Sequence, residues 1–332
     1  MAKGQLNTLD IAIRNGEHVH ALIEGVLTQA PELRTLPIVT KTGISYTTMT
    51  RTALPSGDFA KVGAGVAPEK SEWKRETGSM SKFEAQMRVP EDVVTIARSE
   101  DNSVTQEDVL ADEAGAYLRG STIKIGASTW YGQKISADSF AGLSTLIETA
   151  TNEVNAGGAA NADTSSAYLV YLADDSTNPD GVHYVIGNNG SMQFSDTWWK
   201  QQFPDPNDAT KLVTGFCNNF LSFMGLVVPR KEAVYRIKNI DDAHPFTDAR
   251  AAELLRKVPN ALKADKSRFR WYLNSSCIYN LQVSRSTVNI ATGGNKGVGG
   301  GGVFADYPEY CQGIQIVPTD SLVVTERNGL FN

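Results

Sequence analysis

Several features that would place the chain in a familiar class of protein are missing. Its three cysteines, Cys217, Cys277 and Cys311, are far apart and form no CxxC pair, which argues against a disulfide framework and for reduced thiols in a cytosol. No apolar run approaches the roughly 18 residues of a membrane-spanning helix. The first 20 residues contain no continuous apolar stretch of the signal-peptide kind. We therefore expect a soluble protein of the cytosol with no membrane association.

Basic charge is also in short supply. The 332 residues include 31 lysines and arginines against 37 aspartates and glutamates, a formal net charge of −6. A protein whose main task is to grip nucleic acid carries a basic excess, so that function is not indicated. The 41% of hydrophobic residues is an ordinary globular proportion and is enough for a sizeable core.

No motif of a phosphate-binding or nucleophilic site is convincing. The glycine-rich segment from Gly293 to Phe304 satisfies G-x-G-x-x-G, but a phosphate-binding loop needs a helix N-terminus after it. Pro308 and a stretch without helical period follow instead, so we interpret the segment as a hairpin tip. No G-x-S-x-G elbow exists, and no cysteine has a nearby base in the sequence. The sequence predicts no enzyme, no catalytic residue and no cofactor.

Metal-binding and stacking sites are not indicated either. None of the histidines has the i, i+4 spacing of a zinc-binding helix, so we expect no metal and exposed histidines at positions His18, His20, His183 and His244. The Trp198–Trp199 pair could stack on a base or a sugar. Because no basic cluster surrounds it, we interpret the pair as a packed loop anchor.

The most informative stretch is a long predicted helix from Ser103 to Gly132, where a glycine C-cap is expected. Ser103 and Gln106 form a capping signature at its start, and at 1.5 Å per residue the helix would be about 40 Å long. Its packing face, with residues at three- and four-residue steps, consists of Leu110, Ala114, Tyr117, Leu118 and Ser121. Small residues let another backbone lie close, so three glycines are predicted packing sites: Gly115, Gly120 and Gly126.

Residues 41–100 predict a two-stranded excursion. A Thr-rich strand ends at the Pro55–Gly57 turn, Phe83–Val94 is predicted as the returning strand, and the segment between them has few large apolar residues. Such a hairpin is marginal by itself in water. It is therefore either a mobile surface loop or an arm that docks on a neighbouring copy. In the second case the predicted intersubunit contacts are the anchor Trp73 and the charged residues Lys61, Lys70, Glu72, Lys74, Arg75 and Glu76.

The rest of the chain mixes strands and helices. β-branched and aromatic content predicts strands at residues 166–175, 181–188, 212–229, 233–240, 268–274 and 313–324. Residues 151–166 are a predicted flexible connector, and residues 193–208 a predicted Pro/Asp-rich loop. A second helix at 246–258 is capped by Thr247 or Asp248, and a short helix is expected at 275–282. Because βαβ alternation is absent, the fold class is α+β.

Four stretches, in order along the chain, resemble one known family. They are TRTALPSGDF and its continuation (residues 50–77), TWYGQKISADSFAGL (129–143), SFMGLVVPRKEAVYRIKNI (222–240) and GIQIVPTDSL (313–322). They resemble, respectively, the extended loop (E-loop), the end of the spine helix, a hydrophobic strand pair and the closing strand of tailed-bacteriophage major capsid proteins with the HK97 fold. Within that group the chain is most similar to the GP7-like capsid proteins.

The resemblance implies a division of the chain into an arm, an E-loop, a peripheral (P) domain and an axial (A) domain. The expected ranges are N-terminal arm 1–45, E-loop 46–100, spine helix of the P-domain 101–140, A-domain part 141–204, P-domain strands 205–240 and A-domain 241–332. In the prototype of the fold the helix of the upper domain precedes the long strands. Here residues 246–258 and 313–322 follow them, which suggests a rearranged strand order.

The function that the resemblance implies is structural. Copies would form pentamers and hexamers that close into an icosahedral shell around double-stranded DNA, bound non-specifically. Portal, separate scaffold and decoration proteins are the other expected partners. The protein would be assembled in the bacterial host cytoplasm and end in the virion capsid.

Two alternatives remain open at this point. The first is an encapsulin-like nanocompartment, with the same fold around an enzyme cargo. The second is an enzyme that binds a nucleotide with the glycine-rich segment.

Overall fold

The structure of the protein is a computed structural model. It describes residues 30–100, 105–147, 149–159, 163–174, 180–190, 193–194, 198–204, 210–291, 306–324 and 326. Most of the predicted N-terminal arm, Ser103 and the glycine-rich segment 293–304 lie outside these residues. The described helices are α1 (Glu32–Thr35), α2 (Glu91–Glu100), α3 (Gln106–Tyr131), α4 (Leu143–Leu146), α5 (Thr149–Asn152), α6 (Asp248–Lys257), α7 (Asn260–Lys263) and α8 (Ser275–Ala291).

The first sheet is built around one long strand, β10 (Leu212–Val227). On one side β10 pairs antiparallel with β4 (Ser81–Pro90). Its other edge pairs in turn with β9 (Trp199–Pro204), β8 (Gln193–Phe194) and β7 (His183–Ile186). Strand β1 (Ile38–Thr40) adds to β7 in parallel.

The second sheet lies deeper in the molecule. Its order is β13-β14-β12-β6-β11-β5, with β5 at Glu153–Asn155, β6 at Ser165–Tyr171, β11 at Val234–Ile240, β12 at Phe269–Leu273, β13 at Tyr310–Cys311 and β14 at Ile314–Pro318. All seven residues of β6 are buried. A run buried on both faces needs no polar alternation, which is why residues 167–171 of this strand are continuously apolar.

Helix α3 joins the two sheets. Its N-terminal half packs on β4 and β10, and its C-terminal end enters the main core, where the Trp130 ring lies 5.0 Å from the rings of both Tyr168 and Tyr272. The helix begins two residues later than the sequence signature suggested. Thr105 is the N-cap: its side chain accepts from the Asp108 N–H at 3.2 Å, and the Asp108 carboxylate accepts from the Thr105 N–H at 2.9 Å.

The predicted C-cap of the long helix is confirmed and explains the spacing of two glycines. Gly132 has φ +51°, and a Cβ there would meet the Phe140 carbonyl oxygen at 2.5 Å. A Cβ on Gly142 would meet the Gly132 nitrogen and the Trp130 carbonyl oxygen, both at 2.6 Å. The WYG and FAGL stretches therefore cross backbone to backbone, with Phe140 and Leu143 buried beside the crossing.

The excursion is shorter than predicted. The returning strand is β3 (Glu72–Ser79), which pairs antiparallel with β2 (Ser45–Ala53). The predicted returning strand, Phe83–Val94, is wrong: residues 81–90 form β4 of the first sheet, and α2 begins at Glu91. Its alternate apolar residues face α3, so burial against the helix takes this segment into the body. The charged sequence of β3 remains outside.

Other differences follow from pairing that is remote in sequence. The predicted connector 151–166 contains β5, which is held by β11, and the predicted loop 193–208 contains β9, held by β10. Strands β10 and β11, which contain the stretch that resembles a hydrophobic strand pair, lie in different sheets and are not hydrogen-bonded to each other. Sheet membership also cuts across the predicted domain ranges, since β7 and β9 join β10 whereas β11 joins the second sheet. The capped helix α6, with Thr247 as N-cap, is confirmed.

Candidate assembly surface

The β2–β3 hairpin, residues 45–79, packs on the body at its base through a small cluster. The ring of Tyr46 covers Gly78, and Tyr46 and Phe223 pack against Met80, Val185 and Val227. Beyond this base most side chains of both strands are exposed. Nine residues of strand at about 3.3 Å each extend roughly 30 Å. The hairpin therefore presents two faces and a tip to the surroundings.

One face of the hairpin is aromatic and basic. Pairing of Met49 with Arg75 and of Arg51 with Trp73 places these four side chains on the same face. The Arg51 guanidinium lies 4.4 Å from the centre of the Trp73 ring, a cation–π distance. Trp73 is 52% exposed and Met49 62% exposed. We call these four residues the Trp73 face.

The opposite face is polar. Thr48 pairs with Glu76, and Lys74 forms an ion pair with Glu76 at 2.5 Å. Lys74 and Glu76 are both largely exposed, so this pair contributes little to stability. The predicted charged contacts thus fall on different sides: Arg75 lies with Trp73, whereas Lys74 and Glu76 neutralise each other within the chain.

The tip, residues 54–71, carries the predicted contact residues Lys61 and Lys70 and an unpredicted apolar set, whereas the predicted contact residue Glu72 begins β3 and is exposed. Ser56 donates from its N–H to the Glu69 carboxylate at 2.7 Å and closes the tip. Lys61 and Lys70 are exposed there. The exposed apolar side chains are Leu54, Phe59, Val62 and Val66. Sequence reasoning missed these residues and the partners Met49 and Arg51, although alternation along the Thr-rich strand would have placed Met49 and Arg51 on one face.

The predicted packing residues of the long helix lie toward the first sheet. Leu110 and Ala114 are buried, and Tyr117 and Leu118 are half-buried against Met87 and Phe220. Gly126 is a close-packing site, because a Cβ there would meet Ser321 Oγ at 2.6 Å and Ala30 Cβ at 2.9 Å. Gly120 is not, since nothing lies within 4 Å of its Cβ position. Of the three glycines in this helix, Gly126 is thus packed and Gly120 is open.

The remaining candidate groups that the structure describes are the histidines His183 and His244 and the Trp198–Trp199 pair. His183 is buried, contrary to expectation; its Nδ1 is 2.8 Å from the Gly181 carbonyl oxygen, and burial lowers its pKa. His244 is hydrogen-bonded to Asp241. Trp198 is partly buried beside Leu110 and Ala114 of α3, whereas Trp199 is 39% exposed on β9. Within the described ranges no three potential metal ligands come together, and no helix is long and apolar enough to span a membrane.

Comparison with solved structures shows which fold these features form. The chain is similar to one in the structure of bacteriophage Epsilon15, with a TM-score of 0.61, 15% identity and 85% of each chain covered. It also matches the bacteriophage JBD30 capsid (TM-score 0.48, 9% identity, 90% of this chain and 93% of that chain). The SrpI encapsulin complex of Synechococcus elongatus gives a TM-score of 0.41 at 8% identity, over 63% and 86% of the two chains. No curated protein matches significantly.

A projecting hairpin, a long helix under a sheet and a second buried sheet define an α+β protein of the HK97-like capsid class. The profile of the family described as major capsid protein GP7 matches residues 15–328. The chain belongs to that family, and it is a structural protein of the bacteriophage capsid. The family match favours this over the encapsulin-like alternative.

Proposed function

We propose that copies of this chain form pentamers and hexamers that close into an icosahedral shell around double-stranded DNA. The main support for the proposal is the exposure of the hairpin 45–79. A two-stranded hairpin without a core is marginal in water, and this one exposes Trp73, Met49 and Phe59. Covering these side chains with a neighbouring copy would stabilise both the hairpin and the assembly.

The Trp73 face is the proposed docking face. Tryptophan, methionine and arginine are enriched where interfaces are buried, and truncating such an anchor costs about 2 kcal/mol or more of binding energy. The opposite face offers Thr48 and the internally neutralised Lys74–Glu76 pair. Charged residues there would set the register of docking more than its affinity.

Head-to-tail docking of the hairpin on the next copy would produce rings of subunits. If each hairpin lies on the next copy, the interface is heterologous, and a rotation that closes gives a ring of five or six subunits. In this arrangement the hairpin would reach outward from the proposed P-domain, and the proposed A-domain would lie toward the ring axis.

The net charge of the chain is compatible with a shell that encloses DNA without binding it tightly. With a net charge of −6 over the whole chain, the protein has no basic excess with which to grip DNA; each phosphate contact would add a salt-dependent term to binding. Portal, separate scaffold and decoration proteins are further proposed partners. Assembly is proposed to take place in the bacterial cytoplasm, without a membrane and without catalysis.

The experiment compares the two hairpin faces. The full chain and its Trp73→Ala and Thr48→Ala variants are expressed in bacterial cells and examined by sedimentation and negative-stain microscopy. The proposal expects shells for the parent chain and for Thr48→Ala, and capsomers or monomers for Trp73→Ala with an unchanged far-ultraviolet circular dichroism spectrum. Shells of normal yield from Trp73→Ala would refute the docking face. A parent chain that stays monomeric at every concentration would refute the shell.

A further inference from the structure

Glu32 is a fully buried carboxylic acid at a junction of three segments. It begins α1, and its Oε2 accepts from the Thr319 hydroxyl at 2.8 Å. Its Oε1 lies directly over the backbone of Gly126 in α3, where a Cβ could not fit. The Ser321 hydroxyl and the Trp130 indole face the carboxyl group, but Oε1 has no full hydrogen bond among the described residues.

The surroundings of Glu32 contain no compensating positive charge in the part of the chain that is described. Helix α3 contributes Gly126 and Trp130, and the closing segment contributes the hydroxyls of Thr319 and Ser321. The titratable groups that face it are the buried phenols Tyr184 of β7 and Tyr272 of β12, whose pKa values burial raises, so both are neutral. A buried carboxylate without a cation is costly, and the group takes up a proton instead.

We propose that Glu32 is a proton-dependent fastener, whose neutral carboxyl group holds residues 30–40 and 319–322 against α3 and whose ionisation loosens them. The same junction has the short polar contact between the Thr35 and Tyr272 hydroxyls, at 2.6 Å. Because the fastener acts within one chain, it does not depend on the proposed shell. It would couple the anchoring of the N-terminal region to pH.

The direction of the pH effect follows from the raised pKa of Glu32, which burial causes. The neutral form is favoured in the folded state, so the stabilisation is complete below the ordinary carboxyl pKa of 4.5. It is lost as the pH rises through the higher pKa of the folded state. Fastening therefore weakens with rising pH, opposite to the trend of a salt-bridged carboxylate.

Hydrogen exchange of the full chain tests this directly. Peptides covering residues 30–40, 124–131 and 319–324 are followed from pH 4.5 to pH 8.5 and corrected for intrinsic exchange rates. In the parent chain, protection should fall by about tenfold per pH unit between 4.5 and the pKa of the folded state. In Glu32→Gln it should stay constant over this range. The matched control Glu232→Gln, at an exposed glutamate, should behave like the parent.

A parallel decline in the parent and Glu32→Gln chains would overturn the proposal. If Glu32→Gln does not fold, the parent chain alone decides, because β6 serves as an internal reference. Selective loss of protection in the three junction peptides, relative to residues 165–171, supports the fastener. An equal change in all four peptides refutes it.

Discussion

Arg236 and Glu326 are 90 residues apart in sequence, yet their Nη2 and Oε2 atoms are 2.6 Å apart. The pair is largely shielded from solvent, with side chains 14% and 12% exposed. Ser166 donates to the same carboxylate at 2.7 Å, and the Tyr131 hydroxyl donates to its other oxygen at 2.9 Å. This contact ties the closing end of the chain to both the second sheet and α3.

Loss of Glu326 is the first prediction. Glu326→Ala leaves Arg236 with Glu153, 3.5 Å away, as its remaining carboxylate partner. Loss of the hydrogen bond to Glu326 therefore costs about 1.5–3 kcal/mol, the range for hydrogen bonds to charged groups. Urea unfolding should therefore show a free energy of unfolding lower by that amount. The control Glu253→Ala removes the exposed partner of Arg250 and should cost at most about 1 kcal/mol. Equal losses of unfolding free energy for the two substitutions would mean that the Arg236–Glu326 pair stabilises the fold no more than an exposed ion pair does.

Two glycines on one helix give opposite predictions. Gly126→Ala forces a Cβ against Ala30, Ser321 and Glu32, and overpacking of this kind costs about 1–3 kcal/mol. Gly120→Ala points into open space and should stabilise the chain by up to about 1 kcal/mol through helix propensity. Thermal unfolding of both variants provides the measurement. A shift of the same sign for both would contradict the packing of α3 described above.

The crossing at Gly132 predicts a severe effect of a single methyl group. Gly132→Ala would place a Cβ on a backbone with φ +51° and 2.5 Å from the Phe140 carbonyl oxygen. The backbone alone costs about 1–3 kcal/mol, and the collision adds to it. Gly313→Ala is the matched control, because its φ is +77° but nothing lies within 4 Å. Unfolding experiments should show the larger loss for Gly132→Ala; a larger loss for Gly313→Ala would contradict the crossing.

The three cysteines predict slow thiol chemistry in the folded chain. All are free and buried, and burial raises the pKa of Cys277 to about 12 and raises those of Cys217 and Cys311 as well. Few thiolates therefore exist at neutral pH, and a reagent cannot reach them. Titration with a chromogenic disulfide should label none rapidly at pH 8 and all three after denaturation. Rapid labelling under native conditions would show that the core around them opens.

The parts of the fold that the sequence predicted are those set by local pattern. Helix α3, helix α6 and the buried strand β6 each show a hydrophobic pattern or a capping residue within their own sequence. The C-cap of α3 follows from the presence of a glycine at position 132. The strands β3, β5 and β9 were missed because polar or small sequences form strands only when a distant partner pairs with them. β4 was misassigned for the related reason that its hydrophobic partner, α3, comes later in the chain.

For the candidate site, the sequence indicated the hairpin but not its two faces. Trp73 was an evident anchor because large apolar residues are scarce around it, whereas Arg51 became relevant only through the register of β2 with β3. Glu32 and Glu326 are clearer examples of residues whose role the sequence could not predict. No local pattern distinguishes them from surface glutamates, since their burial depends on Thr319 and Arg236, which are remote in sequence.

The most direct test of the account is hydrogen exchange of residues 45–79 in assembled particles and in the dissociated chain under the same buffer conditions. If the hairpin is stabilised by a neighbouring copy, its amides should be strongly protected in particles and exchange close to intrinsic rates in the dissociated chain, while β6 stays protected in both. Equal protection of residues 45–79 in the two states would show that the hairpin is stable without a neighbour, and would contradict the proposed assembly.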